Sequence, residues 1–194
     1  MDVAVIKYNA GNVQSVLYAM ERLGVNATLT DDWETIKKAD KVIFPGQGEA
    51  STAMRYLKER KIDQLIKELT QPFFGICLGL QLLCEHSEEY DTQCLGVFPI
   101  KVKKFPPLNK VPHMGWNNLE NLKSPLLEGL DESSYVYYVH SYYAEIDPKY
   151  TIASSHYIND FSAILHKDNY YAMQGHPEKS SVTGEKILNN FLKL

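Results

Sequence analysis

Phe73-Phe74-Gly75-Ile76-Cys77-Leu78-Gly79-Leu80-Gln81 carries an apolar, strand-like run directly into a helical pattern, with one cysteine at the joint. A Gly-x-Cys-x-Gly turn of this kind is the geometry of a nucleophile elbow. The residue at its apex takes a strained backbone conformation, and strand and helix pass so close that only small residues fit on either side. Gly75 and Gly79 provide that room. The turn leaves the Leu78 amide at a helix N-terminus, aimed at negative charge developing beside the Cys77 sulfur, and the helix end favours thiolate over thiol. Cys77 is the candidate nucleophile.

Working outward, the chain before the elbow alternates strands and helices. Val3 to Tyr8 predicts a buried strand. A helix follows with apolar face Val13, Val16, Leu17, Met20 and Leu23, capped by Asn12 and ended by Gly24. Ala27 to Thr30 predicts a strand, Trp33 to Lys38 a helix and Lys41 to Phe44 a third strand ending at Pro45. Helical patterns over Ala53 to Lys58 and Ile62 to Leu69 lead into the elbow. Parallel strands need such crossovers, and place functional loops at strand carboxyl ends. Beyond the elbow, Val97 to Val102, Tyr135 to Ala144, Thr151 to Ser155 and Ser162 to His166 predict strands joined by short polar loops, hence antiparallel pairing. A helix over Gly184 to Lys193 buries Ile187, Leu188, Phe191 and Leu192. The expected fold is α/β: three layers around a mostly parallel central sheet with an added antiparallel strand region, residues 1–194 forming a single domain.

Covalent acyl transfer also needs a base. Of six histidines, His176 follows the strand-like Tyr170 to Met173 and precedes a helix, with Pro177 fixing the turn and Glu178 able to orient the imidazole. Cys77, His176 and Glu178 read as a triad. His86 and His156 have no partner pattern, His113 precedes a Met-Gly-Trp turn, and His166 lies at a strand end; solvated or structural roles are the expectation for these four. Cys84 and Cys94 carry no chemistry, Cys84 packing against the sheet. In the tyrosine cluster Tyr135, Tyr137, Tyr138, Tyr142 and Tyr143, alternation leaves only Tyr137 for a partner face.

The formal charge is −4 over 194 residues without a basic run, which argues against nucleic acid. No stretch approaches the ~18 apolar residues of a membrane span, and no positively charged region precedes the first apolar run, so a cytoplasmic protein is expected. Three cysteines at spacings that fit no zinc pattern predict neither disulfide nor metal. No cofactor is expected.

Gly-Ile-Cys-Leu-Gly-Leu-Gln together with His-Pro-Glu resembles the class I, triad-type glutamine amidotransferases. Within them, Pro45-Gly46-Gln47-Gly48-Glu49-Ala50, Val111-Pro112-His113-Met114-Gly115-Trp116-Asn117 and Tyr138-Val139-His140-Ser141-Tyr142-Tyr143 resemble the glutaminase subunits of imidazole glycerol phosphate synthases, nearly from end to end. The resemblance implies a flavodoxin-like three-layer fold and glutamine hydrolysis through a thioester. It gives Gly46, Gln47, Gly48 and Leu78 to the oxyanion hole and Gln81 and Glu89 to the substrate. For His140, Ser141 and Tyr142, whose backbone would contact the substrate's amino-acid end, function and scaffold weigh about equally. It further implies a heterodimer with a (β/α)8-barrel cyclase subunit, which receives the ammonia and makes imidazole glycerol phosphate and an aminoimidazole ribonucleotide. Asn12, Trp116, Tyr137 and Lys179 match positions at or near that interface.

Two positions depart from the family pattern. Gln47 replaces a small aliphatic residue, which could alter how readily the loop turns its amide inward. Gly175 replaces an aromatic residue, and the lost packing is expected to loosen His176. Competing readings are a glutaminase serving another synthase, such as one aminating a sugar nucleotide, and a non-catalytic glutamine-binding module.

Overall fold

The computed structural model describes residues 1–9 and 13–194. Its first half runs β1 (Val3–Ile6), α1 (Gln14–Arg22), β2 (Ala27–Thr30), α2 (Trp33–Lys38), β3 (Lys41–Phe44), α3 (Ala50–Glu59), α4 (Ile62–Glu68), β4 (Phe73–Ile76) and α5 (Leu78–Leu83). There follow β5 (His86–Ser87), β6 (Thr92–Gln93), β7 (Lys101–Lys104), β8 (His113–Asn118), β9 (Tyr135–His140), β10 (Tyr142–Ala144), β11 (Thr151–Tyr157), β12 (Asn159–Lys167), β13 (Tyr170–Met173) and α6 (Ser181–Lys193).

A seven-stranded sheet in the order β11-β12-β13-β4-β3-β1-β2 lies at the centre. The five strands from β13 to β2 are parallel; β11 and β12 extend the sheet antiparallel. β1, β3 and β4 are buried throughout, as their uninterrupted apolar runs require. Period-two alternation divides their side chains between two cores. Ala4, Ile6, Val42, Phe44 and Phe73 pack with α2 to α5, whereas Val3, Val5, Ile43, Phe74 and Ile76 pack with α1 and α6. Phe74 and Phe191 stack with centroids 5.1 Å apart, joining α6 to the sheet.

The helix signals hold where they are local. Asp32 caps α2 by accepting from the Thr35 amide at 2.8 Å, and Gly24, at φ 73°, ends α1. Val13 occupies the position before α1; Asn12, the expected cap, lies outside the described residues.

Three expectations are corrected in the middle of the chain. Val97 to Ile100 is not strand: the amides of Leu95, Gly96 and Phe98 bond to the carbonyls of Leu82, Cys84 and Leu83, so this apolar segment closes the carboxyl end of α5 and β7 begins only at Lys101. Tyr135 to Ala144 is two strands parted at Ser141, β9 pairing with β8 and β10 with β7. His113 does not precede a turn; it opens β8, with Gly115 at φ 137° inside that strand.

The order of the sheet places the site. β3, β4 and β13 are neighbours, and their carboxyl ends carry the Pro45 loop, Cys77 and the His176 loop. Among the described residues no helix is long and apolar enough to cross a membrane.

The crossing of α5 over β3 depends on Gly79, where a Cβ would overlap the Phe44 carbonyl. Gly79→Ala is therefore expected to cost about 3 kcal/mol. Gly24→Ala, at φ 73° with open space around it, should cost only about 1 kcal/mol. Chemical denaturation of both variants measures the difference, and equal losses would show that Gly79 is not a packing constraint.

Candidate functional site

Cys77 sits at φ 53° and ψ −104°, a positive-φ conformation that side chains rarely adopt. Its own amide donates to the Met173 carbonyl at 2.7 Å, carrying the β4–β13 ladder one residue further. The sulfur is buried at the base of a cleft of about 540 Å³. That cleft also gathers Gln47, Gly48, Leu78, Gln81, Glu89, His140, Ser141 and Tyr142, expected at the oxyanion and substrate site, together with Tyr137 and Lys179, expected at the partner interface. Gly46 stands just behind, pressed on Tyr8 and Leu78 so closely that no Cβ would fit.

The Leu78 amide is not free as expected. It donates, at a long 3.4 Å, to the Gly46 carbonyl, because the loop after β3 lies with that oxygen toward the start of α5.

His176 is 1% exposed and Glu178 stands in the turn Pro177–Lys179 that follows it. The ring Nδ1 and Glu178 Oε1 are 2.8 Å apart. The opposite nitrogen, Nε2, is buried with no hydrogen-bond partner of ordinary geometry among the described residues, and Cys77 is the group that bears on it. Burial disfavours the imidazolium, but the charge and contact of Cys77, and then Glu178, outweigh it and raise the ring to about 10.

Nor is His176 loosened by Gly175. The space a Cβ would occupy is taken by Met173, Val136 and the Tyr137 carbonyl, so these groups supply the packing an aromatic residue would have given. The His176 amide donates to the Tyr137 carbonyl at 2.9 Å. Ser180 Oγ donates to the His176 carbonyl at 2.6 Å and accepts from the Tyr137 amide at 2.9 Å.

Around the cleft, Gln81 Nε2 donates to the Tyr142 carbonyl at 2.9 Å and to Gln174 Oε1 at 3.1 Å. Glu89 Oε2 accepts from the Ala50 amide at 2.7 Å, and burial raises the Glu89 carboxyl while that amide opposes the rise. Both ring nitrogens of His140 are committed: Nδ1 donates to the Tyr142 carbonyl at 2.8 Å, and Nε2 accepts from His113 Nδ1 at 3.0 Å. The His140 side chain is scaffold. Burial, partly offset by the Tyr142 carbonyl and reinforced by His113, lowers His140 to about 3; burial lowers His113 to about 4.

His86 and His156 do have partners, Asp91 at 2.8 Å and Asp160 at 2.6 Å, in exposed pairs away from the cleft. Cys84 and Cys94 are buried free thiols; burial raises Cys84 well above its ordinary range and Cys94 to about 12. Of the surface candidates, Trp116 is 53% exposed and meets the Tyr137 ring edge-on, while Lys179 reaches the cleft. Asn12 lies outside the described residues.

The sequence reading missed Gln174, Ser180 and the His113–His140 pair. For Gln174 a signal existed: two residues before His176 at the end of β13, period two turns both side chains to one side.

The family described as glutamine amidotransferase class-I matches residues 4–194. An imidazole glycerol phosphate synthase subunit HisH from Bacteroides fragilis is 57% identical over 197 residues, covering 100% of both chains. One from Idiomarina loihiensis is 45% identical, covering 100% of this chain and 98% of its own. A crystal structure of a glutamine amidotransferase superposes with a TM-score of 0.77 at 21% identity, over 98% of this chain and 97% of that one. PurLQS from Thermotoga maritima gives 0.73 at 16%, over 99% and 97%. These two likenesses concern the fold alone.

The buried histidine pair makes an acid limb of stability. An unfolded histidine takes up its proton near pH 6.5, whereas the folded pair resists until about pH 4 and below, so stability falls as pH drops through that window. His113→Gln keeps a donor for His140 and removes one titrating group. The limb between pH 6.5 and 4 should become shallower by up to about 1.4 kcal/mol per pH unit in urea melts; an unchanged slope would contradict it.

Proposed function

The chain belongs to the class-I glutamine amidotransferases, and we propose that Cys77, His176 and Glu178 are the triad with which it hydrolyses glutamine. Its function is that of the glutamine amidotransferase subunit of an imidazole glycerol phosphate synthase, in histidine biosynthesis. The observation that carries the triad reading is the meeting of three adjacent parallel strand ends, which set loop and thiol at one cleft and the buried imidazole–carboxylate pair beside the thiol.

The ionised Cys77 sulfur adds to the carboxamide carbon, and the carbonyl electrons move to oxygen. His176, holding its proton at Nε2, gives it to the carboxamide nitrogen; the C–N bond breaks and ammonia leaves a thioester. The now neutral ring takes a proton from water, hydroxide adds to the thioester, and glutamate departs as the sulfur is restored. Glu178 holds the ring's orientation throughout.

The oxyanion needs amide donors. Turning the Gly46–Gln47 peptide over would withdraw the Gly46 carbonyl from Leu78 and present the Gln47 amide, leaving two donors facing the same point. Gly48, one residue beyond that peptide, holds φ 135°, a conformation that glycine tolerates. Gln81 and Glu89, with the Ser141–Tyr142 backbone, stand where the amino-acid end of glutamine would lie.

The ammonia is passed to a (β/α)8-barrel cyclase subunit in a heterodimer. β8 and β9 support this docking: Met114 and Trp116 stand opposite Val139 and Tyr137, and Met114, Trp116 and Tyr135 are all more than half exposed. Tyr137 lines the cleft and touches Trp116, so a subunit covering that face stands beside the point of ammonia release. Likeness to HisH relatives over the whole chain supports this partner over a sugar-nucleotide synthase.

Glutamate release should rise by on the order of tenfold or more when a barrel cyclase loaded with its nucleotide is added to the chain. Cys77→Ala should reduce glutamine-dependent turnover of the complex by on the order of 10⁴ or more while ammonium-dependent turnover persists. Loss of both would make Cys77 structural, and turnover without stimulation would point to another synthase.

A further inference from the structure

Gln174 is a polar residue with no exposure at all, and both of its side-chain hydrogen bonds go to Gln81 and Cys77 of the candidate site. Its Oε1 accepts from Gln81 Nε2 at 3.1 Å, and its Nε2 lies 3.7 Å from Cys77 Sγ, within reach of an N–H···S hydrogen bond. The direction of this chain is fixed. Gln81 Nε2 donates at once to the Tyr142 carbonyl, so both its hydrogens face oxygens and only the oxygen end of Gln174 can meet it. The amino end of Gln174 is thereby turned toward the sulfur.

The sulfur needs such a donor. Cys77 packs in an apolar cluster, where an ionised group is costly without hydrogen bonds. The Val139 carbonyl, 4.0 Å away, suits a thiol that donates but not a thiolate, and the Leu78 amide is held by Gly46. Besides His176, the Gln174 amide is the donor at hand.

We propose that Gln174 is a positioning residue for the nucleophile: it donates to the Cys77 sulfur, fixes where the sulfur stands and stabilises its ionised form, oriented in turn by Gln81. The inference rests on Cys77 as the nucleophile. It also gives Gln81 a second task, since its amide group is committed to the scaffold and only its Oε1 is left for a substrate.

The test is the rate at which iodoacetamide modifies Cys77 in the full chain across pH, with the modified residue identified by peptide mapping. Gln174→Met keeps the volume and removes the donor. It should slow modification near neutral pH about tenfold and move the pH midpoint of the rate upward by about one unit, and Gln174→Glu, which turns an oxygen to the sulfur, should move it further. A structural role alone would lower the melting temperature and leave the midpoint unmoved, which would overturn the proposal. If Gln174→Met does not fold, the wild-type chain decides. The Gln174 side-chain amide resonances should shift with the same pH midpoint as the ultraviolet absorbance of the thiolate, and resonances indifferent to that midpoint would refute the contact. Wild-type Cys77 that resists modification at every pH would instead overturn the nucleophile reading and, with it, this inference.

Discussion

The backbone at Cys77 is the constraint on which the rest of the structure turns. A non-glycine residue at φ 53° and ψ −104° costs of order 1–3 kcal/mol, and persists only where its surroundings over-determine it. Here the Cys77 amide is bonded to β13 and its carbonyl accepts from Gln81, so the residue is held on both sides. The glycines follow from the same fact. Gly75 would strike Leu83, Gly79 the Phe44 carbonyl and Gly46 the Leu78 side chain if any carried a Cβ. Strand, helix and neighbouring loop are drawn together around one strained peptide, and the sulfur stands clear at the carboxyl edge of the sheet.

A second unit is built on β9. Its Tyr137 backbone bonds to His176 and Ser180, and its Val139 carbonyl faces the Cys77 sulfur. The outward side of the same hairpin carries Trp116 against the Tyr137 ring. One strand therefore has His176 and Ser180 on its backbone and an exposed aromatic pair on its surface, so the two cannot shift independently without breaking buried hydrogen bonds.

What the sequence made legible was what is local. The uninterrupted runs of β1, β3 and β4, the Asp32 cap and the Gly-x-Cys-x-Gly elbow each carry their own signal. The errors arose where an apolar or glycine signal was answered by distant chain. Val97 to Ile100 looks like part of a strand, yet with the Leu95 and Gly96 amides before it this stretch closes the end of α5. Gly115 does have the unusual backbone a turn would have, but β9 pairs across it and keeps it in a strand. Gln174 and Gln81 are 93 residues apart and His113 and His140 are 27 apart, so no spacing rule connects them. Cys77, His176 and Glu178 could be singled out because His176 and Glu178 are neighbours in sequence and Cys77 announces its own turn.

The two departures from the family pattern have unequal weight for a physical reason. Gly175 lies in a packed interior, where neighbouring side chains can fill a missing volume; Met173 and Val136 do so, and His176 stays buried and bonded on its main chain. Position 47 lies in the cleft wall, and what matters there is which way a peptide faces. With the Gly46 carbonyl resting on Leu78, the Leu78 amide is engaged and that carbonyl faces the start of α5. Among the described residues, turning that peptide gives up one long 3.4 Å hydrogen bond, and the change falls on the backbone angles at 46 and 47, where Gly46 is free to move and a residue that bears a side chain is less so.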